Sequence, residues 1–298
     1  MVVAPGWQPL IDISGSREIF DARHQGADEN QIVHFLIADA ANPGSIFSSL
    51  SAARENARTL RDMLPAEAWE LLNHFYLELA EELSRGLSKR AGFAVLKRIV
   101  QTSQTLTGGL GGTMNRNDAY TFLVLGRNLE RADISSRIVD VRSAQLLPAE
   151  TPELRPFDSI QWMSVLKSLS GYQMYRIGRR TRVSRIEVLE FLLRDVEFPR
   201  ACLFCLKQVA VGLRTLPRSA GVLDTTAGAC HFLDDAALAA LDQAGLHALI
   251  DQLQLHISGV HDGIARTYFP AQAAGAADSV PTQVSEQRQT MPLIAVPG

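Results

Sequence analysis

Arg127, Glu130 and Arg131 stand together in the stretch GRNLER and carry the strongest chemical signal in the chain. On a helix, spacings of three and four set such groups on adjoining turns. Glu130 is placed to pair with Arg127, which leaves one guanidinium in excess. Two readings follow. In the first, the charges form an interior ion network that fixes helix register, a role buried pairs can have. In the second, Arg127 and Arg131 clamp an anionic ligand, a carboxylate or a phosphate. Glu130 is then its orienter or its acid–base group. Both stay open at this point.

The element that must position them is a helix from Asp118 to Arg142, with no proline before Pro148. Asn117 is its expected cap, and Asp118 suits the positive end of the macrodipole. At about 100° per residue, Phe122, Leu125, Leu129, Ala132 and Ser136 share one face. Leu123, Ile134, Ile138 and Val141 fall on nearly the opposite face. A helix apolar on two sides is expected to be buried on both. Arg127, Glu130 and Arg131 lie beside Ile134 and Ile138, so they too are expected to face protein. Asp133 and Arg137, four apart, are expected to pair.

Other residues offer weaker signals. Arg54, Arg58 and Arg61 recur on one helical face with Glu55 and Asn56 alongside, as either an anion contact or a solvated face. Arg176, Arg179, Arg180, Arg182 and Arg185 crowd a short segment with no intervening acid, which predicts an exposed linker unless an acidic protein partner or a phosphate sits there. Gly108 to Gly112 reads as a flexible turn. It lacks the Gly-Lys-Ser/Thr of a phosphate loop and the strand a dinucleotide fingerprint requires. Cys202 and Cys205 share a helix, and Cys230-His231 could in principle complete a zinc set. Thiols packed as small hydrophobes are the commoner outcome. No HExxH, no GxSxG and no inward Glu-x-x-His pairs occur. Neither a metal nor a cofactor is therefore expected.

The rest of the chain reads as helices without a convincing strand. Expected spans are Gln31–Ala40, a helix opened by Asn42-Pro43 and running to Met63, Ala66–Leu87 and Phe93–Leu106. Beyond Pro148 come Phe157–Leu169, Ile186–Val196, Pro199–Leu216, Asp234–Leu241 and Leu246–Tyr268. The first thirty residues look irregular, and 271–298 read as a disordered tail of Ala, Gln, Pro and Ser. A shift of 156 aligns Phe35-Leu36 with Phe191-Leu192, Asp39 with Asp195, Pro43 with Pro199 and Arg58-Thr59-Leu60 with Arg214-Thr215-Leu216. Matches at one offset suggest duplication. The expectation is an all-α, irregular multi-helix bundle: two duplicated halves around a buried central helix, in one domain over 1–270.

LGRNLERADISSRIVDVR, preceded by GTMNRNDAYTFL, resembles the signature of the bacterial alpha-E domain family, with Glu130–Arg131 as its Glu-Arg motif. The blocks NPGSIFSSLSAARENAR and EFPRACLFCL extend the likeness from Trp7 to Tyr268. The resemblance implies an all-helical fold. It also implies the company of ATP-grasp-type ligases and transglutaminase-like proteins. That points to an accessory or assisting component of a system that forms or modifies peptide or amide bonds. The alternative is a stand-alone enzyme binding an anionic substrate at Arg127, Glu130 and Arg131. Family members usually begin with a further helix carrying its own Gly-Arg and Glu-Arg pair, and none stands ahead of Trp7 here; either the start lies upstream of Met1 or the element is lost. The expected consequence is an apolar groove that favours a protein partner or self-association.

Totals narrow the classes. A net charge of −3 gives no general attraction to nucleic acid or anionic membrane, and no nucleic-acid-binding signature appears. No apolar run reaches the ~18 residues of a spanning helix. The N-terminus MVVAPGWQPL lacks a basic-then-apolar leader, and the 3 cysteines do not suggest a disulfide framework. The expectation is a cytoplasmic protein.

Overall fold

The computed structural model describes residues 7–24, 26, 28–86, 89–144, 155–179 and 182–269. Among these residues every regular element is helical. The expected tail, 271–298, lies outside them.

The first segment is more ordered than its glycines and prolines suggest. Two short helices, α1 (Gln8–Ile13) and α2 (Arg17–Asp21), form where irregular chain was expected. Burial decides this: Ile11 and Phe20 pack with Ile32 and Phe35 of α3 (Glu29–Ile37) in a small cluster. Asp28 caps α3 in a reciprocal box with Gln31. The next helix, α4 (Ile46–Thr59), starts later than the Asn42-Pro43 pair predicts, and its cap is Ser45. Asn42 is fully buried and engaged elsewhere. Its amide donates to the Phe35 carbonyl, and its oxygen accepts from the Gly44 amide.

α5 (Ala66–Ser84) and α6 (Lys89–Thr113) complete the N-terminal half. α6 runs straight through Gly108–Gly112, which corrects the expected turn. Each glycine costs a helix only about 1 kcal/mol against alanine. Leu106 and Leu110 are half-buried and Met114 is buried, so packing on that side offsets the cost. α4, α5 and α6 pack in sequence around Phe75, Leu79 and Val95.

The C-terminal half holds the main core. α7 (Asp118–Ala144) is followed by α8 (Arg155–Ser168), α9 (Tyr172–Gly178) and α10 (Arg185–Leu189). α10 widens into a π-helical turn, Glu190–Arg194. Then come α11 (Cys202–Leu213), α12 (Ala220–Asp235) and α13 (Gln243–Tyr268). α12 is absent from the sequence expectation. Its core positions Val222, Thr226, Ala229 and Leu233 are mostly small, so they give a faint apolar stripe. α7 lies against α11 and α13, with α8 and α1 on its C-terminal side.

The helix bounds keep step at the offset of 156. Subtracting it takes α11 to 46–57, beside α4, and takes α10 with its π-turn to 29–38, beside α3. No described helix is long and apolar enough to cross a membrane.

Candidate functional site

Everything chemical in the C-terminal half is arranged around α7. Its middle stripe, Leu125, Asn128, Leu129, Ala132, Ser135, Ser136, Val139 and Ser143, is buried. The small members let α11 come close: the Cys202 thiol reaches the Ala132 carbonyl at 3.6 Å. A Cβ on Gly212 would stand 2.9 Å from Leu125 Cδ2. Asn117 caps the helix as expected, accepting from the Tyr120 amide at 3.2 Å.

The opposite face departs from expectation. Glu130 is exposed, and Ile134 is 39 % exposed. The α1 segment covers only the C-terminal stretch, where the Cβ position of Gly15 lies 3.6 Å from Arg137 Nη1. No described helix closes over Glu130. An apolar pattern on two faces predicts burial on two faces, but the second covering element stops short. Arg127 and Arg131 are half-buried. The expected Arg127–Glu130 pair does not form among the described residues.

Side chains next to the buried stripe divide into two flanks. Along α13 runs a cleft of about 840 Å³ lined by Asp12, Arg137, Asp140, Gln243, His247 and Asp251. It joins a second of about 590 Å³ that holds Glu130, Asp133, Leu255 and His261 and shares Arg137 and Asp251. The aspartates here have basic neighbours. Asp133 accepts from Arg137 Nε at 2.9 Å, as its spacing predicts. Asp140 meets His247 Nδ1 at 2.8 Å, and Asp251 lies 3.6 Å from Nε2. The bond to Asp140 holds the His247 imidazole above its usual range, with the Asp140 and Asp251 charges adding to it.

Along α11 the charges are not paired. Burial pulls the Arg131 guanidinium below its usual range, and the nearby Arg127 and Arg200 charges push the same way. Among the described residues its opposing neighbour is the Cys205 thiol, which burial pushes up to about 11, so that it stays neutral. Arg127 Nε is fully buried with no hydrogen-bond partner. Glu130 and Arg131 therefore face different neighbours although they are adjacent in sequence.

The Alpha-E family, described as a predicted alpha-helical domain with a conserved ER motif, matches residues 3–269. The chain belongs to the Alpha-E family. In this Alpha-E chain the only Glu-Arg pair on α7 is Glu130–Arg131. Uncharacterized proteins of Mycobacterium bovis and Mycobacterium tuberculosis are each 23% identical over 214 residues, 70% of this chain and 23% of theirs. The chain thus spans about a quarter of the length of the curated relatives it matches. No solved structure matches.

The remaining arginine candidates of this Alpha-E chain lie apart from α7. Arg54 donates to Asn73 Oδ1 at 2.7 Å and stacks 4.7 Å over Tyr76. Arg58 pairs with Glu55 at 2.6 Å in solvent. Both are on α4. The arginine-rich segment is less free than its composition predicts. Arg179 pairs with Glu187 at 2.7 Å, and Arg182 reaches Ser159. Arg180 lies outside the described residues. Cys202 is fully buried, and desolvation raises its thiol strongly. Among the described residues no group of three or more His, Cys, Asp or Glu gathers as for a metal. Sequence reasoning missed Arg200 and the Asp140–His247 contact. Nothing in local spacing could reveal either, since the latter joins residues 107 apart.

Proposed function

We propose that this Alpha-E chain is a cytoplasmic accessory component of a system that forms or modifies peptide or amide bonds, working with an ATP-grasp-type ligase. The observation that carries the reading is apolar surface on α4–α6 and the turn after α4. Phe93 is 60 % exposed, Val100 55 %, Leu77 53 % and Met63 52 %. Phe93 and Val100 are seven apart and share one face of α6, and apolar groups exposed together on a face support a surface for a protein partner. In the C-terminal half the corresponding helices α11 and α13 hold α7. We propose that the two halves are repeats and that the first offers its unfilled face to a ligase or a transglutaminase-like protein. Self-association is the competing use of the same face. The relatives support the reading too, since in them the matched region is 23% of a longer chain. The ligase itself comes from the family resemblance.

The test is co-purification with an ATP-grasp-type ligase of the same genome, with amide-forming turnover measured with and without this chain. The expected result is a complex and faster turnover, both reduced in Phe93→Asp with the fold intact. No complex and unchanged turnover would sink the proposal.

A second reading is favoured by the unpaired Arg127 and Arg131: an enzyme that holds an anionic substrate there, without the part expected for Glu130, which faces the other flank. Turnover by the chain alone, lost in Arg131→Ala with the fold intact, would decide for it.

A further inference from the structure

One edge of the α7–α11 interface carries three arginines: the start of α11 lies against α7 next to Arg131, with the Cys202 thiol 3.6 Å from the Ala132 carbonyl. Arg127 and Arg131 are one helical turn apart on α7, and Arg200 lies in the turn that leads into α11. Among the described residues none of the three makes a hydrogen bond or an ion pair. Arg127 Nε is buried and unsatisfied, which a fold tolerates only at a cost. Other arginines at helix junctions behave differently. Arg194 bonds the Leu233 and Asp234 carbonyls and pairs with Glu190, and Arg179 pairs with Glu187.

The same edge carries a further positive feature. α11 begins at Ala201 with no side-chain cap and no acidic residue in its first turn. The unpaired amides at a helix start favour an anion. The Cys205 thiol next to Arg131 stays protonated at neutral pH, so nothing described in the fold neutralises the cluster.

We infer that Arg127, Arg131 and Arg200, with the start of α11, form a binding site for a phosphoryl group. The inference rests on the reading that Arg127 and Arg131 hold an anion, and adds Arg200 and the ligand class. A carboxylate brings one negative charge. A phosphoryl group brings about −1.5 to −2 at neutral pH and three acceptor oxygens, which three guanidiniums can share. Arginine forks suit phosphate oxygens in bidentate geometry. Glu130, on the other flank, takes no part in binding.

The test is calorimetric titration of the full chain at low salt with inorganic phosphate, phenyl phosphate, ATP and acetate. Saturable phosphate binding is expected, weakened about ten-fold in Arg200→Ala, the loss of one charged hydrogen bond. Arg131→Ala should lose at least as much, and Arg23→Ala, whose arginine pairs with Asp39 elsewhere, should bind as wild type does. Arg200 is in an exposed turn, so its variant tests the site even if Arg131→Ala unfolds. Tighter binding of phenyl phosphate or ATP than of inorganic phosphate would identify an ester or a nucleotide as the source. Equal affinity in Arg200→Ala and wild type would overturn the three-arginine site. Acetate binding as tightly as phosphate would overturn the phosphoryl assignment but leave the anion reading of Arg127 and Arg131. No binding by any of the four would end both.

Discussion

The two flanks of α7 treat their charges in opposite ways. On the α13 flank, Asp133, Asp140 and Asp251 each have a basic neighbour, and the clefts between the helices are open to water. On the α11 flank, Arg127, Arg131 and Arg200 come together with no carboxylate among them, and part of the group is desolvated. A fold stabilises the first arrangement from its own parts. In the proposed site the second is completed by an anion from outside. The difference sets the two members of the Glu-Arg motif in separate surroundings. Glu130 faces an open groove whose aspartates have basic neighbours, and Arg131 faces an edge where the described arginines are unpaired.

The largest effect should come from the stripe that holds the flanks apart. Leu125 is 1 % exposed and packs on Gly212 of α11. Leu125→Ala should cost about 2–5 kcal/mol of unfolding free energy, as buried leucine truncations do. Urea denaturation measures it. A cost below about 1 kcal/mol would mean that α7 is not clamped, and the two flanks would lose their common frame.

A smaller effect carries the sharper comparison, because its sign should differ between flanks. Asp133→Ala removes the partner of Arg137 from a partly sheltered pair and should destabilise by about 0.5–1 kcal/mol. Arg131→Met removes an unpaired, half-buried cation and keeps its apolar bulk. In phosphate-free buffer it should be neutral or stabilising, by up to about 1 kcal/mol, since an unmatched charge is taken out of a desolvated edge. Equal losses in both variants would show that Arg131 has a stabilising partner, and the contrast between the flanks would fall.

Much of this frame is legible in the sequence, and the limits have physical causes. α7 is readable because Asn117 caps it, no proline interrupts it and its buried stripe follows the helical period. The Asp133–Arg137 pair is readable because both partners share one helix. The exposure of Glu130 is not, because periodicity reports that a face is apolar, not that another element reaches it. The glycines of α6 mislead for a related reason: propensity is local, while Met114 and its neighbours fix that helix through packing. α12 escapes notice because its core positions include alanine and threonine. Arg200 and His247 reach their neighbours only through tertiary structure. No spacing rule connects Arg131 to the turn before α11, or Asp140 to α13.

The smallest effect tests whether the α13 flank is balanced as described. The protonated form of His247 is favoured by Asp140 on α7 and Asp251 on its own helix, with Asp12 and Arg137 lining the same cleft. Its folded pKa lies above the ordinary value of 6.5. The linkage sign follows: the pair's contribution to stability is fully present below about 6.5 and is lost as pH rises through the folded pKa. Because the imidazole side chain is 60 % exposed, solvent screens most of the interaction, and the change should be no more than about 0.3 kcal/mol. Urea midpoints measured from about pH 6 to about pH 8.5 should therefore drift down slightly in the wild type. The drift should disappear in Asp140→Asn, which removes the main acceptor, and in His247→Gln. On the α11 flank the corresponding groups are guanidiniums, which stay charged across this range, so Arg131→Met should leave the drift in place. A drift that vanished in Arg131→Met but persisted in Asp140→Asn would reverse the assignment of the two flanks.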